Sequence, residues 1–452
     1  MLNGYYHRRE AAREPAATRP ERQLEQLNTL LQRVLPHNRF YTAKFDGIPL
    51  PLATFDAFLD LPFTIKEELV SGPRGRDGHL APLWDSDPAN LIAATDAGFA
   101  RNLTYPLERY VRYHRTSGTR GRPLVVLDTA DDWQWWLEGW QFVLDTAQIT
   151  AGDRVVLAFS FGPFIGFWSA FDAVAQRGAL AAPTGGMSTL ARLDTIRSLR
   201  ATAVFCTPSY ALRMAEVAAE ERFDLRGCGV KTLVVAGEPG GSNPATRQRL
   251  EESWGARVID HAGASEAGPW GFAAADQSGL HINENHFIAE LLRPGSREPA
   301  APGELAELVL TTLGRAGCPV IRYRTGDLVR WRPRPELDCQ FTFLDGGVLG
   351  RADDMLIIRG VNIFPSSIES IVRELRQVAE YRLTARRQGA MDALVLEVED
   401  REDNPQAIAN LLHIRLGLSV EVRAVPLGSL PRFEGKGRRF VDERPPPANS
   451  TP

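Results

Sequence analysis

Apolar and polar residues alternate in blocks through the middle of the chain. Short apolar runs are followed by longer stretches whose apolar residues recur at helical spacing, as in 190–199 after 180–183. Regular alternation of strands and helices predicts a parallel sheet covered by helices, and ligands of such sheets bind at the carboxyl ends of the strands. The predicted strands are 155–159, 180–183, 203–206, 232–235 and 258–260.

A tryptophan-rich stretch precedes this alternating region. Trp133, Trp136, Trp140 and Val143 fall at helical spacing. Such a stripe can be an aromatic binding site, but it is more often the core-facing side of a helix. We interpret it as a core helix.

The pattern changes in the last third of the chain. Residues 303–310 alternate polar and apolar positions, which predicts an antiparallel strand. After Gly350 the pattern predicts a small α+β unit of about 100 residues, within the usual size of a domain. Its predicted elements are a short hairpin, helices near 368–381 and 408–416, and strands at 393–398 and 420–425.

The predicted fold is α/β, with a large N-terminal domain of parallel strand–helix layers plus a β-rich subdomain, and a small α+β C-terminal domain. Both chain ends lack an apolar stripe, and we expect them to be flexible. The predicted divisions are a flexible segment at 1–22, the large domain at 23–349, the small domain at 350–444 and a disordered tail at 445–452.

Composition narrows the functional classes. The chain has 452 residues, 44% hydrophobic and 24% charged, and its net charge of −4 provides no basic field for nucleic acid or anionic membranes. The cysteines lack C-x-x-C spacing, which argues against a disulfide framework and favours a reducing compartment. No apolar run approaches the length of a membrane span. We expect a soluble, cytoplasmic protein that binds neither nucleic acid nor membrane.

A hydroxyl- and glycine-rich stretch, YHRTSGTRGRP at 113–123, stands between two apolar segments. Glycines let successive backbone N–H groups point into one concavity, and nearby hydroxyls add donors, so the stretch suits a polyphosphate. Its spacing is not that of a Walker A loop. Taken alone, the stretch is equally compatible with an ordinary hairpin turn.

Further motifs follow in a fixed order along the chain. They are VAGEPG at 235–240, GASE at 263–266, YRTGD at 323–327, GRADD at 350–354 with RGVNIFP at 359–365, and EGKGRR at 434–439. Together with the stretch at 113–123, this set resembles the adenylate-forming enzymes, and most closely the phenylacetate-coenzyme A ligase family. The resemblance extends over nearly the whole chain, and it implies a mobile C-terminal domain that swings between two half-reactions.

The resemblance implies a role for each motif in ATP chemistry. Glu266 matches the acid that holds magnesium, a metal that prefers carboxylate oxygens, and Lys436 matches the lysine that bridges the attacking carboxylate and the α-phosphate. These two are the predicted catalytic residues, although Glu266 could otherwise be a surface acid and Lys436 a solvated lysine. The residues implied to bind ATP or AMP are Thr116, Ser117, Gly118, Thr119, Gly121, Gly237, Glu238, Pro239, Ser265, Asp327 and Arg351.

An apolar, aromatic-rich pocket for the acid is also implied, and such a lining suits an aryl or arylacetic acid. Each pocket residue could instead be ordinary core packing. Asp353 matches the hinge of the small domain, and Gly360 lies in the hairpin that lines the tunnel for the thiol. The implied pocket residues are Phe159, Phe161, Gly162, Phe164, Trp168, Gly185, Gly186, Ala262 and Gly263.

The chain departs from the family pattern at several positions. Arg120 stands where a second threonine is usual, and Ala262 replaces the tyrosine that stacks on adenine in the wider superfamily. Some relatives hold zinc with cysteines, but here alanines at 273–275 and the lone Cys339 occupy those places, so we predict no structural zinc.

The segment around Thr64 resembles a lead-in to a helix, and we predict that Thr64 caps it.

The implied function is ATP- and magnesium-dependent activation of an aryl or arylacetic acid to an acyl adenylate, followed by transfer to coenzyme A. One alternative is an adenylating enzyme whose acceptor is a carrier protein, an amine or another nucleophile, or one that activates a small oxyanion. Another is a catalytically silent nucleotide-binding homologue, which Arg120 and Ala262 suggest. The expected partners are a small aromatic acid and coenzyme A, and family members are often homodimers.

Overall fold

The computed structural model describes residues 2–70, 99–116, 123–160, 162–354, 356–358, 361–388, 391–433 and 439–444. The chain opens with short helices that pack on the outside of a large sheet. They are α1 (Leu2–Ala12), α2 (Arg19–Val34), α3 (Arg39–Lys44), α4 (Phe55–Leu59) and α5 (Lys66–Leu69).

The segment 1–22, whose flexibility stays a prediction, contains helical elements. Helix α1 forms there, and α2 begins at Arg19. Arg8 donates to the Asp145 carboxylate at 2.6 Å, and buried Arg19 pairs with Glu284 at 2.5 Å. These ion pairs join positions far apart in the sequence, so local composition did not reveal them.

Two strands, β1 (Tyr110–Arg115) and β2 (Val125–Thr129), form an antiparallel hairpin before the main sheet. Helix α6 (Ala130–Thr146) follows directly, and the Thr129 hydroxyl caps it by accepting from the backbone N–H of Asp132. Trp133, Trp136 and Trp140 on this helix are buried in the core of the large sheet, which confirms the interpretation as a core helix.

Strands and helices then alternate as predicted. The parallel strands are β3 (Arg154–Leu157), β4 (Leu180–Pro183), β5 (Ala203–Cys206), β6 (Thr232–Ala236) and β7 (Arg257–Ala264). The intervening helices are α7 (Ile165–Gln176), α8 (Thr189–Leu199), α9 (Pro208–Glu220) and α10 (Pro244–Trp254). The predicted parallel sheet is therefore confirmed, and its carboxyl edge is where the motifs at 235–240 and 263–266 emerge.

Antiparallel strands continue the same sheet beyond β7. They are β8 (Gly268–Ala273), β9 (Gly279–Ile282), β10 (Phe287–Leu292), β11 (Leu305–Thr312), β12 (Tyr323–Trp331) and β13 (Phe343–Arg351). The sheet has the order β10-β11-β12-β13-β9-β8-β7-β6-β5-β3-β4. The strand predicted at 303–310 is β11, which pairs antiparallel with both of its neighbours.

A second, smaller α+β unit follows β13. It contains the hairpin β14 (Leu356–Ile358) and β15 (Val361–Ile363), helix α11 (Pro365–Glu374), β16 (Val378–Gln388), β17 (Met391–Asp400), α12 (Pro405–Leu416), β18 (Glu421–Ala424) and β19 (Phe440–Asp442). The last four strands form one sheet with the order β18-β17-β16-β19, and its apolar residues form a core separate from that of the large sheet.

One element of this unit was predicted wrongly. The helix expected near 368–381 ends at Glu374, and strand β16 begins at Val378. Tyr381, Leu383 and Ala385 are buried at a spacing of two residues, as in a strand. Since Ile368 and Ile371 fit a helix just upstream, the helical pattern was extended too far.

No helix in the described ranges is long and apolar enough to cross a membrane.

Candidate active site

The two motifs after β6 and β7 lie at the carboxyl edge of the parallel sheet. Gly237 turns the chain out of β6 with a φ of +92°, a conformation that glycine adopts without strain. The adjacent Glu238 carboxylate accepts a hydrogen bond of 2.7 Å from the backbone N–H of Ser209, in the first turn of α9. A carboxylate is favoured at a helix N-terminus, so Glu238 fixes the loop that follows β6 against α9.

Glu266, the predicted magnesium ligand, is buried and paired with a lysine. Its Oε1 lies 2.8 Å from the ammonium of Lys66, and the Glu266 residue is only 7% exposed. Burial would raise the pKa of Glu266, but the charge and hydrogen bond of Lys66, helped by Arg351, hold that pKa below its ordinary value. Glu266 is therefore ionised at neutral pH.

Lys66 reaches Glu266 because α5 is docked on β12. Thr64 pairs with β12: its N–H donates to the Arg322 carbonyl, and its own carbonyl accepts from the N–H of Arg324. The prediction that Thr64 caps this helix is wrong, since the helix begins at Lys66 after Ile65. The Thr64 hydroxyl is buried and donates to the Ile321 carbonyl instead.

A buried arginine supports the backbone around Glu266. Arg315 donates to the carbonyls of Ser265 and Glu266 at 3.0 and 2.8 Å, and its Nε donates to Asp128 at 2.7 Å. Both members of the Arg315–Asp128 ion pair are fully buried. The Arg315–Asp128 pair thus holds in place the backbone carbonyls at Ser265 and at Glu266, the predicted metal ligand. Sequence reasoning missed Lys66 and Arg315 because neither lies in a local motif.

Asp327 and Arg351, two of the residues implied to bind ATP or AMP, also meet. Asp327 on β12 is paired in register with Arg351 on β13, and a guanidinium nitrogen of Arg351 lies 3.3 Å from Asp327 Oδ1. Arg351 also donates to the Thr325 carbonyl. Tyr323, on the same strand, is buried, and burial together with the nearby charge of Glu266 raises its pKa. Glu266, Asp327 and Arg351 therefore occupy one electrostatic neighbourhood.

Of the hydroxyl- and glycine-rich stretch at 113–123, the structure describes only the two ends, 113–116 and 123, which we call its neck. The Thr116 N–H donates to the Leu124 carbonyl, and the Leu124 N–H donates to the Thr116 hydroxyl at 3.0 Å. The predicted phosphate-binding residues Ser117, Gly118, Thr119 and Gly121, together with Arg120, lie outside the described residues.

Part of the predicted acyl pocket is assembled beside this neck. The Arg115 N–H donates to the Pro163 carbonyl, which places the segment after β3 against β1. Within that segment, the indole of Trp168 donates to the Gly162 carbonyl at 3.0 Å. The ring of Phe159 stacks on that of Phe167, with centroids 4.2 Å apart.

The remaining pocket positions fall in two places. Gly185 and Gly186 are exposed in the turn after β4. Ala262 and Gly263 lie at the carboxyl end of β7, and Gly263 is exposed while Ala262 is half-buried. Phe164 is the N-cap residue of α7 and packs edge-on against Phe167. Phe161 lies outside the described residues.

The small α+β unit contributes the remaining predicted residues. Asp353 lies in a single 3-10 turn, Ala352–Asp354, directly after β13. Gly360 and Lys436 lie outside the described residues. Arg439, three positions after Lys436, donates to the Ser209 hydroxyl at 2.7 Å and forms an ion pair with Glu380. This contact joins the end of the small unit to the α9 helix that Glu238 also contacts.

Magnesium and zinc need different donors, and the side chains of the site suit magnesium. One buried, ionised carboxylate, that of Glu266, fits magnesium, which is commonly held by one or two carboxylates together with substrate phosphates. Across the ranges that the structure describes, no three His, Cys, Asp or Glu residues are grouped to hold a metal ion. His281 Nδ1 donates to the Phe341 carbonyl at 3.0 Å, and the ring packs among Phe272 and Phe343.

Comparison with known proteins identifies the family. Residues 111–289 match the model of the AMP-binding enzymes, and residues 360–444 match that of the AMP-binding enzyme C-terminal domain. The phenylacetate-coenzyme A ligase of Escherichia coli K12 is 31% identical over 445 residues, which are 93% of this chain and 94% of the relative. The chain belongs to the phenylacetate-coenzyme A ligase family. The Pseudomonas putida phenylacetate-coenzyme A ligase is 29% identical, with 98% and 99% of the two chains covered.

A solved structure of another coenzyme A ligase supports the fold and the arrangement of the large and small units. The 2-hydroxyisobutyryl-CoA ligase in its postadenylation state is 27% identical, covers 95% of this chain and 91% of its own, and gives a TM-score of 0.84. The same protein in its thioesterification state covers 96% and 91% but gives only 0.68. The predicted fold and the predicted class, an AMP-forming acid–thiol ligase, are confirmed. The present arrangement is closer to the postadenylation state.

Proposed function

We propose that this ligase activates an aryl or arylacetic acid with ATP and transfers the acyl group to coenzyme A. The observation that carries the proposal is the meeting of the Lys66–Glu266 ion pair with the Asp327–Arg351 pair at the carboxyl edge of the sheet. The family relatives named phenylacetate-coenzyme A ligase support the choice of acid and acceptor.

In the first half-reaction a carboxylate oxygen of the acid attacks the α-phosphorus of ATP, and the bond to the bridging oxygen of the leaving pyrophosphate breaks. Thr116 stands at the neck of the loop that would hold the phosphates. Glu266 would hold magnesium, which offsets phosphate charge when it is bound. Asp327 would accept hydrogen bonds from the ribose hydroxyls, since an ionised carboxylate has two acceptor oxygens.

In the second half-reaction the sulfur of coenzyme A attacks the acyl carbon, a thioester bond forms, and AMP leaves with the oxygen that came from the acid. Lys436 would contribute to the first step by placing a positive charge between the two reacting anions. The predicted hinge at Asp353 would allow the small unit to rotate between the steps.

The cytoplasmic location and the homodimer expected from the sequence stay predictions.

The test is release of pyrophosphate across a panel of aryl and arylacetic acids, with magnesium and ATP, with and without coenzyme A. The lysines of this chain are Lys44, Lys66, Lys231 and Lys436, so Lys231→Ala, on an exposed position, is a matched control for Lys436→Ala. We expect acid-dependent release and a thioester product, both lost in Lys436→Ala and retained in Lys231→Ala. Release without a thioester would favour another acceptor, and no release with any acid would favour the silent homologue.

A further inference from the structure

His114 lies on β1, two residues before Thr116 at the neck of the predicted phosphate loop. It is 3% exposed, and its ring stacks on the indole of Trp133, with centroids 5.4 Å apart and an angle of 15° between the planes. Burial, helped by the nearby charge of Arg315, lowers the pKa of His114 to about 4, so the ring is neutral at pH 7. A neutral imidazole has one N–H that donates and one nitrogen that accepts.

A carboxylate oxygen faces one of these two nitrogens. Nδ1 of His114 lies 4.0 Å from Oδ2 of Asp128, a fully buried residue on β2. In the part of the chain that the structure describes, neither atom has a hydrogen-bond partner. The groups are complementary, because a carboxylate accepts and a neutral imidazole donates, but the separation is roughly 1 Å too long for a hydrogen bond. Two buried polar atoms thus face each other without being bonded.

The other oxygen of Asp128 belongs to the support of Glu266. Oδ1 accepts from Nε of Arg315 at 2.7 Å and from the indole N–H of Trp136 at 3.2 Å. The same arginine donates to the carbonyls of Ser265 and Glu266. A series of polar contacts therefore runs from the predicted metal ligand to Asp128, and it stops one hydrogen bond short of the strand that leads into the phosphate loop.

Strand β1 is suited to carry a small shift of the phosphate loop to His114. It pairs with β2 alone, in a two-stranded sheet separate from the eleven-stranded one, and it continues directly into the loop. Asp128 is fixed by its buried ion pair with Arg315. Because buried polar atoms without partners are unfavourable, a ligand that closes the gap gains the new hydrogen bond as added affinity.

We propose that His114 is a positioning residue for ATP: when the nucleotide is bound, His114 Nδ1 donates to Asp128 Oδ2 and joins the phosphate loop to the backbone of Glu266. The loop and the predicted magnesium ligand, which both act on the phosphates, are then held at a fixed separation. This inference rests on ATP binding within the proposed function, but it does not depend on which acid or acceptor the enzyme uses.

The test measures magnesium–ATP binding by calorimetry in the full-length protein, together with the KM for ATP and the kcat of pyrophosphate release. His114→Phe keeps a ring that stacks on Trp133 but removes the donor. His114→Asn keeps a nitrogen donor at the position of Nδ1 but removes the ring. His413→Phe, at an exposed histidine on α12, is the matched control.

We expect His114→Phe to weaken ATP binding and to raise the KM for ATP by about tenfold with a smaller change in kcat, because the lost hydrogen bond is to a charged group. His114→Asn should recover part of the affinity. Added to Arg315→Met, His114→Phe should cause little further loss, since both changes break the same series of contacts. In a crystal structure with a non-hydrolysable ATP analogue, Nδ1 and Oδ2 should lie about 2.9 Å apart.

Two results would overturn the inference. Equal ATP affinity in wild type and in a folded His114→Phe variant would show that the histidine does not position the nucleotide. A nucleotide complex of wild type in which Nδ1 and Oδ2 stay as far apart as here would exclude the hydrogen bond, whether or not any variant folds. Wild type that binds ATP but releases no pyrophosphate with any acid would overturn the proposed function alone, and absence of ATP binding would overturn both.

Discussion

Arg439 donates a hydrogen bond of 2.7 Å to the hydroxyl of Ser209, although the two residues are 230 positions apart. The backbone N–H of Ser209 donates in turn to the Glu238 carboxylate. Arg439 is held by Glu380, so a continuous polar path runs from the small unit to the nucleotide motif after β6. This path exists in an arrangement close to the postadenylation state of 2-hydroxyisobutyryl-CoA ligase.

Ser209→Ala should therefore slow adenylation more than thioester formation. The change removes one hydrogen bond to a charged group, worth about 1.5–3 kcal/mol, so we expect a loss of roughly tenfold in pyrophosphate release. Transfer from a synthetic acyl adenylate to coenzyme A should be unchanged, because the small unit must leave this contact to rotate. The control is Ser253→Ala, since the Ser253 hydroxyl donates to the Arg249 carbonyl within α10. Equal losses in both half-reactions would contradict this assignment.

Lys66→Ala should move the acidic limb of the pH–rate profile to higher pH. Lys66 holds the pKa of Glu266 below its ordinary value, and without that charge burial raises the pKa. Less Glu266 is then ionised on the acidic side of the profile, and magnesium binding weakens there. The measurement is kcat/KM for magnesium–ATP against pH, with Lys231→Ala as the control. A limb that stays in place would show that Glu266 does not bind the metal.

The same ion pair links pH to stability. A carboxyl group whose folded pKa is depressed stabilises the fold above its unfolded pKa, and this contribution is lost as pH falls through the folded pKa. Urea unfolding at pH 7 and at pH 3 should show a larger acid-induced loss for wild type than for Lys66→Ala. Identical losses in the two proteins would mean that the ion pair contributes nothing to folding.

Loss of Arg315 should lower the stability of the fold and, as a separate effect, slow adenylation. Arg315→Met leaves Asp128 as an unpaired buried charge, so we expect a loss of about 3–5 kcal/mol in the free energy of unfolding. The double variant Arg315→Met/Asp128→Leu removes both charges and should recover most of that stability. Adenylation should stay low in the double variant, since the carbonyls of Ser265 and Glu266 lack their donor. Full recovery of adenylation would limit Arg315 to a structural role.

Asp327→Asn should weaken ATP binding more than it slows the chemical step. The amide keeps the shape of the carboxylate but loses one acceptor oxygen and the charge that pairs with Arg351. We expect the KM for ATP to rise by about tenfold with a smaller change in kcat. Asp194→Asn, an exposed acid on α8 paired with Arg197, serves as the control. A lower kcat with an unchanged KM would place Asp327 in the chemical step instead.

The sequence predicted the large sheet well because its signals are local. Each buried strand is a short apolar run, and Gly237 and Glu266 follow directly on the ends of β6 and β7. Because these motifs follow strand ends, the sequence indicated that they lie at one edge of the sheet. Where the local pattern was compatible with two elements, as at 375–381, the predicted helix was extended into residues that begin strand β16.

The site was predicted less completely because its supporting contacts are not local. Lys66 precedes Glu266 by two hundred positions, and only the docking of Thr64 on β12 brings the two together. Arg315 is a single arginine in a loop, without a motif to distinguish it.

The most direct test of the central claim follows the oxygen of the acid. A carboxylic acid labelled with oxygen-18 in its carboxyl group is converted with unlabelled ATP and coenzyme A, and the AMP and pyrophosphate are analysed by mass spectrometry. If the carboxylate attacks the α-phosphorus, one labelled oxygen appears in AMP and none in pyrophosphate. Label in inorganic phosphate or pyrophosphate with unlabelled AMP would contradict an acyl-adenylate intermediate.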